Sequence, residues 1–305
     1  MPEFSVIIPT CRRNDLLARC LESLGPGRQL ADFDSYEVIV TDDSQTATAE
    51  AMMREQFPWA RWVQGPTRGP AANRNSGARN AKGEWLCFID DDCIADKGWI
   101  AALHETAKDR SIDLIEGQTI IPDRVDNPFL RGIGNENGGL YWSCNLAIRR
   151  SRFESLGGFD EDFTEAAGED MEFAHRFHAH HFRSTFDPKA LVYHPALPQT
   201  WRMIWKRHLL IRWSAMYAYK IDEGLHLKDS VKKNVLRAFT GTVINLFRRT
   251  VRDLRRWNGR FWRERWFGCA FRLVTFPVIL PYYLYWVYRF HRQLNQKSGS
   301  GVASD

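Results

Sequence analysis

The sequence predicts an α/β fold, a mostly parallel sheet covered by helices on both faces and followed by a helical region of opposite charge. The first observation behind this is order. Short apolar runs of strand length alternate with stretches whose apolar residues recur at helical spacing, as a parallel sheet requires. The second is that two of the runs end in acidic clusters, Asp42-Asp43 and Asp90-Asp91-Asp92. In an open α/β sheet, ligands bind at the carboxyl ends of the strands. The third is charge. Residues 1–198 hold 21 Lys/Arg against 31 Asp/Glu, whereas residues 199–297 hold 21 against 5. The net +5 of the 305-residue chain therefore conceals an acidic module joined to a basic one.

Residues 5–9 read as a buried strand closed by proline, and Asn14 as the cap of a helix carrying Leu16, Leu17, Cys20, Leu21 and Leu24 on one side. A second strand over 36–41, a helix over 47–56 and a short strand around Trp62 follow. Residues 69–80 open a third helix, with Pro70 in its first turn. Trp85–Ile89 is an apolar run too short for a helix, and it stops at the three aspartates. Beyond it, 98–109 reads as a helix, 113–121 as a strand, 122–139 as a long loop of the kind that serves as a lid, and 140–149 as a strand. A turn at 157–161 precedes a helix over 171–179 that Gly168-Glu169-Asp170 begins. Extended segments at 182–186 and 191–193 lead to His194.

Three consecutive carboxylates repel one another by several kcal/mol unless a cation or a hydrogen-bonded ligand offsets them. A hard divalent ion bridging carboxylates to substrate phosphates meets that need; an acidic loop solvated at a strand end is the plain alternative. Glu169 and Asp170 have a structural reason of their own, since a helix N-terminus stabilises each carboxylate by about 0.3–1 kcal/mol. The helix bearing Arg74 brings positive charge to the crevice between the acidic strand ends. Acceptors for a base, carboxylates for a ribose or metal, and a cation for a diphosphate are the parts a sugar nucleotide requires. His175, His178, His180 and His181 cluster, but no cysteine or carboxylate completes a metal site there, and they read as structural.

In order, these residues make the chain similar to the family-2 inverting glycosyltransferases of GT-A fold. The matching stretches are Ser-Val-Ile-Ile-Pro-Thr (5–10), Val-Ile-Val-Thr-Asp-Asp-Ser (38–44), Arg-Asn (74–75), Ile-Asp-Asp-Asp (89–92), Cys-Asn-Leu-Ala-Ile-Arg-Arg (144–150), Gly-Gly-Phe-Asp-Glu (157–161), Gly-Glu-Asp (168–170) and Val-Tyr-His (192–194). The resemblance implies a Rossmann-like catalytic domain over 1–198. It implies that Pro9, Thr10, Asp42 and Asp43 hold the base and ribose of a nucleoside-diphosphate sugar, a uridine nucleotide by default. Arg74 and Asn75 are implied on the diphosphate side. Asp90 and Asp92 make the DxD pair, with Asp92 on Mn²⁺ or Mg²⁺, Asp90 toward ribose or metal, and Asp91 among the donor-binding residues. Asp170 is the implied general base, with Glu169 beside it. His194 is implied as a further metal ligand or diphosphate contact, against the ordinary reading of a structural histidine after a strand. Gln199-Thr-Trp-Arg-Met203 departs from the QxxRW motif of processive members at Met203, so transfer is expected to be non-processive.

From Gln199 on, Trp201, Ile204, Trp205, Leu209, Trp213, Met216 and Tyr217 recur at helical spacing among Arg202, Lys206, Arg207 and Arg212. Residues 228–256 read as a basic amphipathic helix or pair of helices. The run 273–288 has 16 uncharged residues, where a spanning helix needs about 20. Its rings, with Arg272, Arg289 and Arg292 at the ends, suit the headgroup layer of an anionic membrane. There the region 199–296 would meet a lipid-linked or other glycan acceptor; a helical core or a homo-oligomer contact is the other reading. No nucleic-acid recognition motif is visible. Residues 297–305 read as a disordered Gly/Ser-rich tail. The six cysteines form no CxxC pair and no leader pattern precedes Phe4, so the catalytic part is expected in the cytoplasm, and the membrane-surface reading of 199–296 would set it at the inner face of the cell membrane, with a soluble acceptor as the alternative. Two further readings stay open. One is a sugar-nucleotide pyrophosphorylase, whose glycine-rich first loop is missing from residues 9–13. The other is a non-catalytic nucleotide-sugar or membrane-surface binding protein.

Overall fold

The computed structural model describes residues 2–46, 48–122, 130–221, 226, 228–255 and 262–299. The chain divides into two compact units, residues 1–124 with 132–197, and residues 125–131 with 198–305.

The first unit is built on an eight-stranded sheet of β1 (Phe4–Thr10), β2 (Tyr36–Asp42), β3 (Arg61–Gln64), β4 (Trp85–Ile89), β5 (Ile94–Ala95), β6 (Leu114–Ile120), β8 (Asn145–Arg149) and β9 (Ser184–Tyr193). Two short strands, β7 (Leu130–Arg131) and β10 (Leu197–Pro198), lie outside it. The order is β3-β2-β1-β4-β8-β6-β9-β5. The first four strands are parallel neighbours. β8 runs antiparallel to both β4 and β6, while β9 is parallel to β6. Helices α1 (Asn14–Leu24), α2 (Glu50–Gln56), α3 (Pro70–Asn80), α4 (Trp99–Ala107), α5 (Arg150–Ser155) and α6 (Glu169–Ala179) complete the unit.

Side chains alternate across the sheet with the period of two that a strand imposes. Val6, Ile8, Cys87 and Ile89 pack with Leu17, Leu21, Trp99 and Leu103 on one face. Ile7, Leu86, Phe88, Leu146 and Ile148 pack with Phe153, Phe159, Phe173 and Phe177 on the other. Both faces are covered, so β1 and β4 are buried throughout and read as continuous apolar runs. The Phe173 and Phe177 contacts hold α6 against the sheet and thereby fix where its N-terminus, Glu169-Asp170, lies.

Several local expectations are corrected. Asn14 is the first residue of α1 rather than its cap, and its side chain donates to the Thr48 carbonyl at 3.4 Å. The second helix begins at Glu50, where the Ala49 N–H just before it is taken by the Asp42 carboxylate, which also accepts the Ser44 N–H. Only Asn145–Arg149 of the 140–149 segment is a strand. Glu116 draws the N–H groups of Gly139, Leu140 and Tyr141, so those donors are withdrawn from any ladder. Residues 184–186 and 191–193 belong to one strand, β9, with a register shift opposite Gly117 and Gln118, and 182–183 precede it. Within the 122–139 segment read as a lid loop, Leu130–Arg131 is a short strand and Asn135 forms an isolated bridge with Thr119 of β6; residues 123–129 of it lie outside the described residues. His178 packs edge-on against Tyr141 with ring centres 4.8 Å apart, a packing role rather than a ligand role.

The second unit contains α7 (Trp201–Leu209), α8 (Ile211–Lys220), α9 (Val231–Arg255) and α10 (Trp262–Gly299). Trp213 and Tyr219 of α8 pack on Phe290 and His291 of α10, with ring centres 6.1 and 5.5 Å apart. The 273–288 run is not a separate segment. It lies inside α10, which carries Pro277 and Pro281 and continues to Gly299, three residues into the segment read as a tail. Among the described residues, no helix is long and apolar enough to cross a membrane.

Candidate active site

The carboxyl ends of β1, β2 and β4 lie side by side because these strands are parallel and adjacent, with Thr10 in register with Asp42. Asp43 follows β2, and its N–H donates to the Thr10 carbonyl at 2.9 Å. The Thr10 hydroxyl in turn donates to Asp91 at 2.7 Å. Pro9 sits buried in β1 just before this junction. Asp43 accepts the N–H groups of Thr67 and Gly69 at 2.9 and 3.0 Å, which fixes its carboxylate at the entrance to α3. Burial pushes its pKa up, partly offset by those two donors. Asp42 has a different position. It is fully buried, and its oxygens are taken by Ser44, Ala49 and Trp62, so it organises the loop behind Asp43.

The triple aspartate divides three ways. Asp90 accepts from Arg74 Nη2 at 2.7 Å; although burial raises it, the Arg74 charge and hydrogen bond hold it below the usual carboxylate range. Asp91 is bound by Thr10 and by Arg13, whose Nε lies 3.1 Å away. Burial nevertheless pushes it up to about 6. Asp92 faces Arg13 Nη2 through Oδ2 at 3.0 Å. Its Oδ1 is buried with no hydrogen-bond partner.

That orphaned oxygen lies 3.5 Å from His194 Nε2. The pairing of β5 with β9, Ile94 opposite Tyr193, brings the segment after Asp92 alongside the histidine. The His194 N–H donates to the Ile120 carbonyl at 2.8 Å, anchoring the turn. Ligand atoms of Asp92, Cys93 and His194 lie within 4.8 Å of one another. Cys93 is buried in the apolar core, and burial raises its thiol well above the ordinary value. Sulfur is a soft donor that suits a hard cation poorly, so the residues that could hold Mn²⁺ or Mg²⁺ are Asp92 and His194, the rest of the shell being left to substrate oxygens and water.

Arg74 connects this cluster to α6. Its Nη1 lies 3.3 Å from Glu169, and both side chains are almost entirely buried. Glu169 is pushed up to about 8, first by burial and then by the like charge of Asp170, against the pull of Arg74. Asp170 is raised as well, by burial first, with Arg74 and Ser143 opposing. Its Oδ1 is buried without a hydrogen-bond partner. A carboxylate raised toward neutrality with a free oxygen is suited to accept a proton.

Thr10, Asp43, Asp90, Asp91, Asp92, His194, Arg74, Glu169 and Asp170 are thus linked through one another, while Asn75 is turned away. Its amide donates to the Phe159 carbonyl at 2.8 Å and to Glu161 at 3.0 Å, and accepts the Phe159 N–H at 2.9 Å, clamping the 157–161 turn. Three residues join that sequence reasoning did not name. Arg13 bridges Asp91 and Asp92, Asn73 ties the Thr10 and Thr41 carbonyls together at 3.3 and 2.9 Å, and Ser143 faces Asp170.

A mixed sheet of this order, with acidic groups at the parallel strand ends, is the GT-A fold. A mannosyltransferase from Pyrobaculum calidifontis, solved with GDP-Man and Mn²⁺, shares it. It has a TM-score of 0.52 at 18% identity, covering 100% of this chain and 76% of that one. Residues 5–134 match the family described as Glycosyl transferase family 2, and residues 136–195 match the N-terminal domain of galactosyltransferase. Residues 5–134 therefore carry a glycosyl transferase family 2 domain, the domain of a family of sugar-transferring enzymes. Among its relatives is the validoxylamine A glucosyltransferase of Streptomyces hygroscopicus subsp. jinggangensis, 28% identical over 222 residues, covering 59% of this chain and 52% of the relative. Another is the chondroitin synthase of Escherichia coli, 26% identical over 243 residues, covering 64% and 35%. The chain therefore spans about half, or less, of the length of these relatives.

Proposed function

We propose that the chain is a metal-dependent, non-processive, inverting glycosyltransferase that moves a sugar from a nucleoside-diphosphate sugar, a UDP-sugar by family default, to an acceptor hydroxyl. The observation that carries this reading is the buried Arg74 shared by Asp90 of the donor-side cluster and Glu169 beside Asp170. It joins a donor cradle to a basic carboxylate. Thr10 and Asp43 would hold the base and ribose, Asp91 fixes Thr10 and Arg13, and Arg13 would meet the diphosphate. Asp92 and His194 would hold Mn²⁺ or Mg²⁺, whose charge stabilises a departing diphosphate.

Asp170 accepts the proton of the acceptor hydroxyl. The acceptor oxygen then bonds to the anomeric carbon from the face opposite the diphosphate, and the broken bond's electron pair leaves with the phosphate. A single displacement inverts the configuration. Burial and like-charge repulsion raise both Glu169 and Asp170, and Asp170, whose Oδ1 has no partner, is assigned as the base of the pair. The acceptor class proposed is a glycan or lipid-linked glycan, as the names of relatives suggest: the E. coli chondroitin synthase, and a GalNAc(5)-diNAcBac-PP-undecaprenol β-1,3-glucosyltransferase of Campylobacter jejuni. Residues 199–296 would hold the enzyme at an anionic membrane surface on the cytoplasmic side.

The test is calorimetry with a panel of sugar nucleotides with and without Mn²⁺, followed by slow donor hydrolysis. Metal-dependent binding of one donor, with release of nucleoside diphosphate that Asp170→Asn abolishes while binding survives, is the expected result. Equal loss of donor binding in Asp170→Asn removes the base assignment, and binding unchanged by EDTA removes the metal.

A further inference from the structure

The helix α9 presents an apolar stripe that no other described residue of its own unit covers. Leu236, Phe239, Val243 and Phe247 fall within about 80° of arc on a helix of 100° per residue, over about 16 Å of its length. All four are exposed, Leu236 at 63% and Phe247 at 69%. Ile244, beside them, is 47% exposed. The opposite side is the packed one: Asn234 and Ala238 are buried, and Asn234 lies against His291 of α10. Cations bound the stripe, with Lys232 and Lys233 one turn before Leu236 and Arg248 directly after Phe247, all three exposed. α10 repeats the arrangement, exposing Leu273, Val274 and Val278. Farther along it, exposed Tyr285 and Tyr288 carry Arg289 and Arg292 on their hydroxyls at 3.3 and 3.1 Å.

We propose that the Leu236–Phe239–Val243–Phe247 face of α9 is a membrane-surface docking site for anionic phospholipid, the apolar stripe entering the acyl boundary while Lys232, Lys233 and Arg248 meet the headgroups. Charge selects the occupant. Residues 199–297 hold 21 Lys/Arg against 5 Asp/Glu, so a second copy would set two strongly cationic surfaces against each other. A nucleic acid would satisfy the cations but leave the stripe in water. An anionic bilayer satisfies both at once. This gives the membrane-facing part of the function proposed above a definite place, and it needs neither donor nor catalysis to be read.

Flotation of the full chain with phosphatidylcholine vesicles, with and without phosphatidylglycerol, tests it in the absence of nucleotide and metal. Binding is expected only with the anionic lipid and is expected to fall with added salt. Replacing the pair Phe239→Ser and Phe247→Ser is expected to lower the bound fraction about tenfold or more, because each removes most of a ring's buried apolar area. Lys232→Gln with Lys233→Gln is expected to weaken binding at low salt only. No flotation of the parent chain, or flotation unchanged by the phenylalanine pair, overturns the proposal. So does a dimer, seen by light scattering, that the same pair dissolves, since that result assigns the face to a second copy. Donor hydrolysis in the same variants is expected to stay at the parent rate, so failure of the catalytic reading and failure of the docking site are told apart.

Discussion

Arg74 lies 2.7 Å from Asp90, through a guanidinium whose side chain is only 5% exposed. Its second terminal nitrogen reaches Glu169 at 3.3 Å, so one cation joins a residue at the end of β4 to the first turn of α6. A fork of this kind needs a planar donor with two separated N–H groups, which lysine lacks. The pairing also divides the acidic residues. Asp90 remains a carboxylate under the Arg74 charge, while Glu169, crowded by Asp170, holds its proton.

Removing that cation should therefore be costly. Arg74→Met leaves a buried carboxylate uncompensated, and breaking such a pair from one side costs about 3–5 kcal/mol. Arg74→Lys should recover only part of this, since its ammonium cannot serve Asp90 and Glu169 with separate nitrogens. Urea denaturation of the three proteins checks the order. A lysine variant as stable as the parent would mean that one of the two contacts contributes nothing.

The raised Glu169 also makes stability depend on pH, with a definite sign. Its carboxyl titrates near 4.5 in the ordinary case and about 8 in the folded chain. Between those values the folded protein keeps a proton that the unfolded chain has released. The contribution is fully present below about 4.5 and is lost as pH rises through about 8. Glu169→Gln keeps a neutral group of the same shape, so the decline in urea midpoint between pH 5 and 8 should flatten in that variant. An unaltered slope would place Glu169 in the charged form.

The parts of this arrangement that were legible beforehand are those carried by local pattern. Strands β1, β2 and β4 announce themselves as apolar runs, and Asp42-Asp43 and Asp90–Asp92 mark their ends. What was not legible depends on contacts distant in sequence. The apolar run of β8 reads the same in either direction, and its antiparallel pairing with β4 and β6, like that of β5 with β9, makes the sheet mixed. Asp42 and Asp43 are adjacent acids of one type, yet three donors close around the first, while the second is fixed by two N–H groups at the mouth of α3. Asn75, beside Arg74, clamps a turn more than 80 residues away. Arg13 had a usable signal: it follows a strand end beside one that stops in three carboxylates, and asking what neutralises them leads to it.

The metal assignment separates three neighbouring residues. Asp92 Oδ1 is unpartnered and His194 Nε2 lies 3.5 Å away, whereas the sulfur of Cys93 is a soft donor that suits a hard cation poorly. Calorimetric titration with Mn²⁺ should show Asp92→Asn and His194→Ala each weakening binding by about 100-fold or more, since loss of a direct ligand exceeds the 10–100-fold effect of its supporting residues. Cys93→Ser should leave the affinity unchanged. Weakening by Cys93→Ser equal to that by His194→Ala would make the sulfur a ligand and favour a softer metal.

Gly69 tests whether backbone geometry at the mouth of α3 controls the donor cradle. It has φ +98° and ψ 175°, a combination that is essentially glycine's alone and costs other residues about 1–3 kcal/mol. A Cβ there would also come within 2.3 Å of the Thr164 carbonyl oxygen, so the backbone must move. Gly69 further donates its N–H to Asp43 at 3.0 Å, and any shift of that backbone displaces the carboxylate. Gly157 is the control, because it has φ +75° with open space around its would-be Cβ and no part in holding Asp43. Gly157→Ala should therefore lower stability by about 1 kcal/mol and leave donor affinity unchanged. Gly69→Ala should cost more stability and weaken donor binding at the same time, by calorimetry with the nucleotide the panel identifies. If both variants lose stability alike and bind donor equally well, Asp43 does not depend on Gly69 for its position, and the strained backbone serves the fold alone.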